Sequence, residues 1–328
     1  MKKAIKDLRP WQGIVFFLLI MISFFAVCVP MQMAWGIYGL ALTELLILGL
    51  ALLFPLVTRR PAKAVFPVKR PHALPVLGTL ILWGSTLLGT MVVSLIQYRL
   101  FPEAMEQVST GLGSVMVSAP PAVSILIVCV MPAVCEEAVH RGVILSCMRS
   151  VKRKWMIVTI MGILFGLFHT DPLRFLPTAL LGAAISYLVL ETGNLLYGSL
   201  FHCVNNLLPL LLQYTLLESG GVSDAAQMLQ QNGQSMQVPL ASIGIYMILA
   251  AAVPFGLYLG AYLIRCVPGT ARSFIPRGEG VRIGMKILIP TLCIFGAGVI
   301  LFAAGIFFDP VFRDLMDAAM QGYRQTLP

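Results

Sequence analysis

Residues 131–150, MPAVCEEAVHRGVILSCMRS, place four polar side chains in the middle of a long apolar run. Three of them, Glu136, Glu137 and Arg141, carry charge, and the fourth is His140. A charged residue at the centre of a membrane helix costs about 2.5–3.5 kcal/mol, so three unpaired charges would oppose insertion by about 8–10 kcal/mol. A membrane helix with this sequence must therefore pair its charges, turn them towards a wet cavity or use them in chemistry.

The composition around this stretch is that of a polytopic membrane protein. Of the 328 residues, 58% are hydrophobic and only 11% are charged, with a mean hydropathy of +0.88. Soluble globular domains carry about 25% charged residues, so this chain has too little polar surface to be one. The predicted spans occupy nearly the whole chain, which indicates one integral unit rather than several soluble domains.

Nine apolar runs predict an all-α transmembrane bundle of about eight to nine spans. The runs are 11–29, 34–57, 73–97, 119–148, 155–169, 173–190, 195–216, 239–265 and 284–308. Because about 20 apolar residues are needed to cross the hydrocarbon core, most runs qualify and 155–169 is short. Pro172 stops that short span from continuing into the next one. The segments 101–118 and 218–237 are predicted to be outer loops or short interfacial helices, and 309–328 to be an amphipathic interfacial helix.

The basic residues carry a topology signal. With the N-terminus inside, 18 of the 23 lysines and arginines fall in cytoplasmic segments, as the positive-inside rule requires. The net charge of +9 then faces anionic lipid, which argues against a nucleic-acid partner. The basic lead 1–9 precedes an apolar run too long for a signal peptide, with no A-x-A cleavage site, so it is predicted to be an uncleaved anchor. We expect an integral protein of a bacterial plasma membrane.

The seven cysteines show neither a CxxC pair nor a Cys/His ligand spacing. Nearly all of them fall within or at the ends of apolar runs, as buried free thiols commonly do. The sequence therefore does not predict a disulfide framework or a zinc ribbon.

Helical spacing divides the charges of the opening stretch into two faces. Residues four apart share a face, so Glu137 lies over Arg141 and Glu136 lies over His140. The first pair is placed to form an ion pair, which leaves Glu136 as the carboxylate that faces substrate or water. Pro132 removes one backbone hydrogen bond and is expected to kink the helix near the carboxylates.

Other polar residues are predicted at similar depths in the membrane. His169 ends the short span, and His202 and Asn206 share one helix face four residues apart. Counting about 1.5 Å per residue from the cytoplasmic ends places them in one layer with Glu136. Glu44, in the middle of the second span, is either a further member of this site or a structural carboxylate.

These residue types suit water-activated hydrolysis of an amide. A glutamate in an apolar site can act as a general base, and imidazoles can orient water, shuttle its proton or bind a metal. An asparagine amide can donate a hydrogen bond to the oxyanion of a tetrahedral intermediate. The alternative is that these residues only join helices through hydrogen bonds, as polar residues in membranes often do.

Three short motifs carry a resemblance to a known family. EEAVHR at 136–141, FGLFH at 165–169 and HCVNN at 202–206 have the forms EExxxR, FxxxH and HxxxN. In this order they resemble the CPBP family of intramembrane proteases, which includes type II CAAX prenyl endopeptidases and bacteriocin-processing or immunity proteins. The resemblance divides the chain into N-terminal anchor and transmembrane helices (1–118), a catalytic core (119–216), and C-terminal transmembrane helices with the amphipathic tail (217–328).

The resemblance also implies a role for each polar residue of the motifs. Glu136 would be the base that activates water, and Glu137 would support it. Arg141 would hold that pair, and His169 would position water or a metal. The histidine and second asparagine of HCVNN would stabilise the oxyanion, and the site would open to the cytoplasm or the bilayer. His140 occupies a variable position of the motif.

The predicted function is that of a membrane-embedded endopeptidase without a cofactor. A metal-free glutamate site is favoured because no HExxH motif is present, and zinc bound by a glutamate and two histidines is the alternative. The expected partners are the lipid bilayer and a membrane-associated protein or peptide, either a lipidated CAAX tail or a bacterial substrate. The rival function is that of a non-enzymatic immunity or scaffold protein that binds a partner through the same polar cavity. A transporter is disfavoured because no internal repeat is evident.

Overall fold

The computed structural model describes residues 8–218, 237–270 and 273–326, and these residues form helices and connecting turns with no strand. The predicted all-α polytopic bundle is confirmed. Lys2, Lys3 and Lys6 of the basic lead, and nearly all of the outer segment predicted at 218–237, lie outside the described residues.

The α-helices of the described residues are numbered here in chain order. They are α1 (Pro10–Ser23), α2 (Val29–Val57), α3 (Ala62–Val65), α4 (Ala73–Leu100), α5 (Pro102–Met116), α6 (Pro121–Ser124), α7 (Met131–Glu137), α8 (Leu145–Met148), α9 (Lys154–Phe168), α10 (Pro172–Thr192), α11 (Leu195–Glu218), α12 (Leu240–Ala250), α13 (Val253–Leu263), α14 (Gly280–Phe308) and α15 (Pro310–Thr326). Three π-helical segments join successive helices, at Phe24–Cys28, Ile125–Val130 and Ala138–Ile144.

Seven helical stretches among the described residues are long and apolar enough to cross a membrane. The first, Pro10–Val57, is a hairpin of two helices, because Gly36 has non-helical angles (φ 55°, ψ −128°). The two arms return alongside each other, since the rings of Phe16 and Phe54 lie 5.3 Å apart. The predicted spans 11–29 and 34–57 correspond to these arms, and a glycine is needed at the turn because an L side chain disfavours positive φ.

The short span predicted at 155–169 is helix α9, whose 15 residues are followed by a tight turn. Thr170 adopts a positive φ of 55°. Asp171 then caps α10 by accepting a hydrogen bond from the backbone N–H of Leu173 at 2.9 Å. Gly182 lets α9 and α10 pack closely, because a Cβ atom there would collide with Phe165. The α9–α10 hairpin therefore holds His169 at a fixed place inside the bundle.

The helix 121–148, built from α6, α7, α8 and two π-helical segments, lies at the centre of the bundle. It is the most buried of the candidate spans. The N-terminal arm packs against its end, where Gly13 approaches the backbone of Ile144 and the side chain of Cys147. This central position surrounds the polar motif with protein on every side, so its charges must be satisfied by neighbouring helices.

Two clusters of charges tie the helices together at opposite ends of the bundle. Glu191 at the end of α10 pairs with Lys154 at 2.5 Å and with Arg265 at 2.6 Å. At the other end, Asp309 pairs with Arg99 at 3.0 Å and accepts from the backbone N–H of Leu240 at 2.8 Å. Burial alone would raise the pKa of Asp309, but the hydrogen bonds from Leu240 and Arg99 outweigh it and lower the pKa below its ordinary value.

Candidate active site

The predicted ion pair between Glu137 and Arg141 is confirmed. Nη1 of Arg141 lies 2.6 Å from Oε1 of Glu137, and both side chains are almost completely buried. The remaining guanidinium donors reach α10, where Nε donates to Oγ of Ser186 at 3.2 Å and Nη2 to the carbonyl oxygen of Gly182 at 2.8 Å. A buried cation with three acceptors is well satisfied, so Arg141 anchors the motif helix to α10.

Phe165, the first residue of FGLFH, packs between this arginine and three imidazoles. The guanidinium carbon of Arg141 lies 4.5 Å from the centroid of the phenyl ring, a cation–π contact. The rings of His140, His169 and His202 lie 5.0, 4.9 and 5.7 Å from the same centroid. Sequence reasoning assigned no role to Phe165, whose packing depends on three separate segments of the chain.

Glu137 also orients His202, which is 65 residues further along the chain. Nδ1 of His202 lies 3.0 Å from Oε1 of Glu137. An ionised carboxylate only accepts hydrogen bonds, so Nδ1 carries the proton and donates it. Gly198, one helical turn before His202, makes room for the carboxylate, because a Cβ atom there would lie 2.8 Å from Oε2 of Glu137. Glu137 thus joins the arginine to the histidine.

Glu136, the carboxylate predicted to be free, points towards the other nitrogen of His202. Its Oε2 lies 4.0 Å from Nε2 of His202 and has no hydrogen-bond partner among the described residues. That separation is too long for a direct hydrogen bond, and a water molecule can bridge such a gap. Glu136 is only 8% exposed, so the bridging position is sheltered from bulk solvent.

His140 and His169 each contact a backbone carbonyl oxygen, but their surroundings differ. Nδ1 of His140 lies 3.1 Å from the carbonyl oxygen of Glu136, and Nδ1 of His169 lies 2.9 Å from that of Phe165. A carbonyl oxygen only accepts, so both histidines donate from Nδ1. His140 is fully buried against aromatic rings that include Phe168 at 5.1 Å, which indicates a packing role. His169 is partly exposed and can offer Nε2 as an acceptor.

Asn206 and Glu44 complete the set of predicted residues. Nδ2 of Asn206 donates to the carbonyl oxygen of Val128 at 3.0 Å, in the π-helical segment before the motif. This contact uses one of its two N–H groups. Glu44 on α2 is 2% exposed, its Oε2 has no partner among the described residues, and it is close enough to interact electrostatically with Glu136. Glu44 therefore shares the electrostatic environment of the base candidate.

Arg174 is a further charged residue near this site, and sequence reasoning assigned it no role. It lies in the first turn of α10, five residues after His169, and is close enough to act electrostatically on Glu136 and His169. Its guanidinium makes no hydrogen bond or ion pair with any side chain in the described ranges. The only sequence signal is its short distance from FGLFH.

The residues present do not form a ligand set for zinc. Within residues 8–218, 237–270 and 273–326, no three side chains of histidine, cysteine, aspartate or glutamate come together as a metal site. The Nδ1 atoms of His140, His169 and His202 are already engaged by backbone or carboxylate oxygens. We therefore assign no chemical step to a metal.

Residues 118–208 match a family model described as Rce1-like, type II CAAX prenyl endopeptidase Rce1-like. The match contains all three motifs and nearly all of the core predicted at 119–216, and it confirms the resemblance to the CPBP and CAAX protease family. That family is a peptidase family, so the match supports CAAX-type intramembrane proteolysis as the general activity. No curated protein and no solved structure matches the chain.

Proposed function

We propose that this CAAX-type intramembrane protease hydrolyses a peptide bond of a membrane-associated or lipidated substrate with water activated by Glu136. The observation that carries the proposal is the unpartnered Oε2 of Glu136, 4.0 Å from Nε2 of His202. A buried carboxylate oxygen without a hydrogen bond is unfavourable for stability, and an ionisable residue inside the membrane points to a functional site. A water molecule held there has a base on one side and an imidazole on the other.

In the proposed reaction, Glu136 is the general base and His169 orients the water. Oε2 of Glu136 takes a proton from the water as the water oxygen attacks the carbonyl carbon of the scissile bond. The carbonyl oxygen becomes the oxyanion of a tetrahedral intermediate. Glu136 then returns the proton to the amide nitrogen as the carbon–nitrogen bond breaks, which releases an amine and a carboxylic acid. Nε2 of His169 accepts the second hydrogen of the water and orients its lone pair towards the substrate.

The oxyanion is stabilised by donors on α11. Glu137 holds His202 through Nδ1 and balances the charge of an imidazolium there, so that Nε2–H donates to the oxyanion. The second N–H of Asn206, the one not bonded to Val128, supplies a further donor. Arg141 keeps the carboxylate of Glu137 in place. One such donor is worth about 10²–10³ in rate.

Arg174 provides a means of recognising a substrate of this kind. Its guanidinium interacts electrostatically with Asp171 and, more weakly, with Glu136, and it forms no ion pair with either within the described residues. An arginine in such a place binds a carboxylate through two parallel hydrogen bonds. A peptide that ends shortly after the scissile bond would present its terminal carboxylate to Arg174. This supports a substrate with a free C-terminus, such as a CAAX tail, over an internal membrane segment.

The orientation that we propose places the N-terminus in the cytoplasm of a bacterium. The support is the distribution of basic residues, 18 of 23 of which then lie on the cytoplasmic side. A membrane-impermeant thiol reagent should label Arg277→Cys only after the cell membrane is opened. Labelling in intact cells would reverse the orientation.

The test of the activity is cleavage of a lipid-anchored peptide by the purified protein in liposomes. We expect Glu136→Gln to lose at least about 100-fold in rate, because it removes the general base. Glu103→Gln, which changes an exposed glutamate in the first turn of α5, should cleave at the wild-type rate. In water enriched in oxygen-18, one labelled oxygen should enter the new carboxylate. Normal cleavage by Glu136→Gln would refute the base assignment. If the wild type cleaves nothing and Glu136→Gln still protects cells in an immunity assay, the immunity or scaffold function would be favoured.

A further inference from the structure

A cavity of about 1160 Å³ lies between α4, α10, α13 and α14, apart from the site around Glu136. Its wall on α10 is formed by Leu180, Ala183, Ala184 and Tyr187. Gly182 and Ser186 of the same helix contact Arg141 on another face. The volume exceeds the range of about 300–1,000 Å³ typical of small-molecule pockets. The proposed hydrolysis makes no use of this space.

The cavity exists because α14 separates from its neighbours. In one half of the helix, Gly298 packs so closely that a Cβ atom there would lie 2.8 Å from the backbone nitrogen of Ile248. Further along, Oγ1 of Thr291 donates to the carbonyl oxygen of Ala251 at 3.0 Å. Beyond Thr291, towards Gly280, the α14 residues Ile283, Lys286 and Ile287 line the cavity. The gap thus lies at the end of α14 that the charge pattern predicts to be cytoplasmic.

The depth and the mouth of the cavity differ in chemistry. Away from the charged residues, the lining is mostly apolar, with Leu82, Gly89 and Leu257 among its members, and includes a few hydroxyl groups on α4. The mouth carries three basic side chains and one acidic one, and the basic ones are Arg265, Arg282 and Lys286. A ligand that matches this cavity has a long apolar part and an anionic head.

The basic residues at the mouth are not equally available. Arg265 already pairs with Glu191 at 2.6 Å, and Arg282 pairs with Glu279 at 2.7 Å. Lys286 is exposed and has no ion pair with any residue that the structure describes. The Arg282–Glu279 pair is itself largely exposed to solvent and therefore weak, so Arg282 can also turn towards a ligand.

We propose that this cavity binds one anionic phospholipid, with its acyl chains between α4, α13 and α14 and its phosphate on Lys286 and Arg282. An apolar space between membrane helices favours hydrocarbon over water, because water there lacks hydrogen-bond partners. Basic pockets between transmembrane helices on the cytoplasmic side attract anionic head groups. The bound lipid braces α14 against α10. The proposal does not depend on the chemistry assigned to Glu136.

The head-group part is tested with the full chain purified in detergent. Phosphatidylglycerol and phosphatidylcholine with identical acyl chains are titrated, and bound lipid is counted by native mass spectrometry while Tm is followed. We expect one phosphatidylglycerol to be retained and to raise Tm more than phosphatidylcholine does. Lys286→Gln should weaken binding about fivefold, equivalent to about 1 kcal/mol. Arg277→Gln, an exposed basic position that does not line the cavity, should bind as the wild type does.

The location is tested with a matched pair of glycines on α4. An added Cβ atom meets no heavy atom within 4 Å at either Gly84 or Gly89, but only Gly89 lines the cavity. Gly89→Leu should therefore reduce lipid retention at least tenfold, and Gly84→Leu should not. Equal retention by the two variants, equal binding of the two lipids, or an equal rise in Tm with inorganic phosphate alone would each overturn the proposal.

Discussion

The two adjacent glutamates of the motif should differ in their effect on thermal stability when each is changed to glutamine. Glu136→Gln should slow cleavage by about 10²–10⁴ and leave Tm unchanged or higher, whereas Glu137→Gln should lower both Tm and the cleavage rate. Both residues are glutamates, and they occupy successive positions in the same helix. The difference comes entirely from the partners that the fold gives to each carboxylate.

The loss of stability expected for Glu137→Gln follows from the contacts of the Glu137 carboxylate. Oε1 accepts hydrogen bonds from Arg141 at 2.6 Å and from His202 at 3.0 Å, and the side chain is 1% exposed. Removing one partner of a buried ion pair costs about 3–5 kcal/mol, because the other charge remains buried. Arg141 keeps its acceptors at Ser186 and Gly182, so we expect a loss towards the lower end of that range. The rate falls as well, because His202 is no longer held in one orientation.

The change in stability expected for Glu136→Gln is neutral or positive, opposite to that expected for Glu137→Gln. Its Oε2 makes no hydrogen bond with the described residues, so a neutral amide in its place sacrifices no partner and removes a buried charge. The rate should fall by about 10²–10⁴ when the general base is lost. His202 stays bound to Glu137 in this variant, so the rest of the site is intact.

The assay pairs thermal unfolding in detergent, followed by tryptophan fluorescence, with cleavage of a lipid-anchored peptide. Both measurements are made on the same preparations, so that loss of folded protein cannot be mistaken for loss of catalysis. Equal changes in Tm for the two variants would refute the assignment of Glu137 as the structural partner of Arg141. Wild-type cleavage by Glu136→Gln would refute the proposed chemistry.

Three further predictions concern the surroundings of the site and the end of the bundle where Arg99 pairs with Asp309. Arg174→Gln should raise KM about tenfold or more for peptides with a free C-terminus, because a hydrogen bond to a charged group contributes about 1.5–3 kcal/mol. Gly198→Ala should destabilise the protein by about 1–3 kcal/mol, because the new methyl group would crowd Glu137. The pKa of Asp309 is lower in the folded protein than the ordinary aspartate value of about 4. Its pairing with Arg99 should therefore stabilise the fold above about pH 4, and this stability should be lost as the pH falls through the lower pKa of the folded state.

Each of these has a control. An amidated peptide should be cleaved equally by wild type and Arg174→Gln, and a difference there would contradict carboxylate recognition. Gly49→Ala, at an exposed helical position with open space, should be neutral or stabilise by about 0.5–1 kcal/mol, and a loss matching that of Gly198→Ala would contradict the crowding argument. The Tm of Asp309→Asn should fall less on acidification than that of the wild type. Identical dependence of Tm on pH would exclude Asp309 as the cause of the loss of stability in acid.

The pH experiment isolates one carboxyl because Asp309 lies beyond the last residue of α14. It accepts hydrogen bonds from Arg99, from the N–H of Leu240 and from the N–H of Val311. Neutralising it weakens a junction of α4, α12 and α15 at once. The effect should therefore appear in unfolding and leave the cleavage rate at neutral pH unchanged.

The sequence by itself determined the features that depend on local spacing. Long apolar runs predicted the membrane helices because their length and hydropathy are properties of the chain alone. The ion pair of Glu137 and Arg141 was predictable because residues four apart meet on any helix. The same spacing placed Glu136 over His140, but in the structure Nδ1 of His140 contacts the backbone carbonyl oxygen of Glu136 and not its carboxylate. The three motifs were sufficient to identify the family resemblance, because each motif is a spacing within one short segment of the chain.

Only the tertiary structure decided which distant groups meet the motif helix. Glu137 shares one oxygen between Arg141 and His202, and Phe165 packs against three histidines, because α9, α10 and α11 converge on the motif helix. The reversal at Gly36 and the cavity beside α14 likewise depend on how helices pack after they form. Helical periodicity is set over a few residues, whereas these contacts join segments tens of residues apart, and so they follow from the fold as a whole.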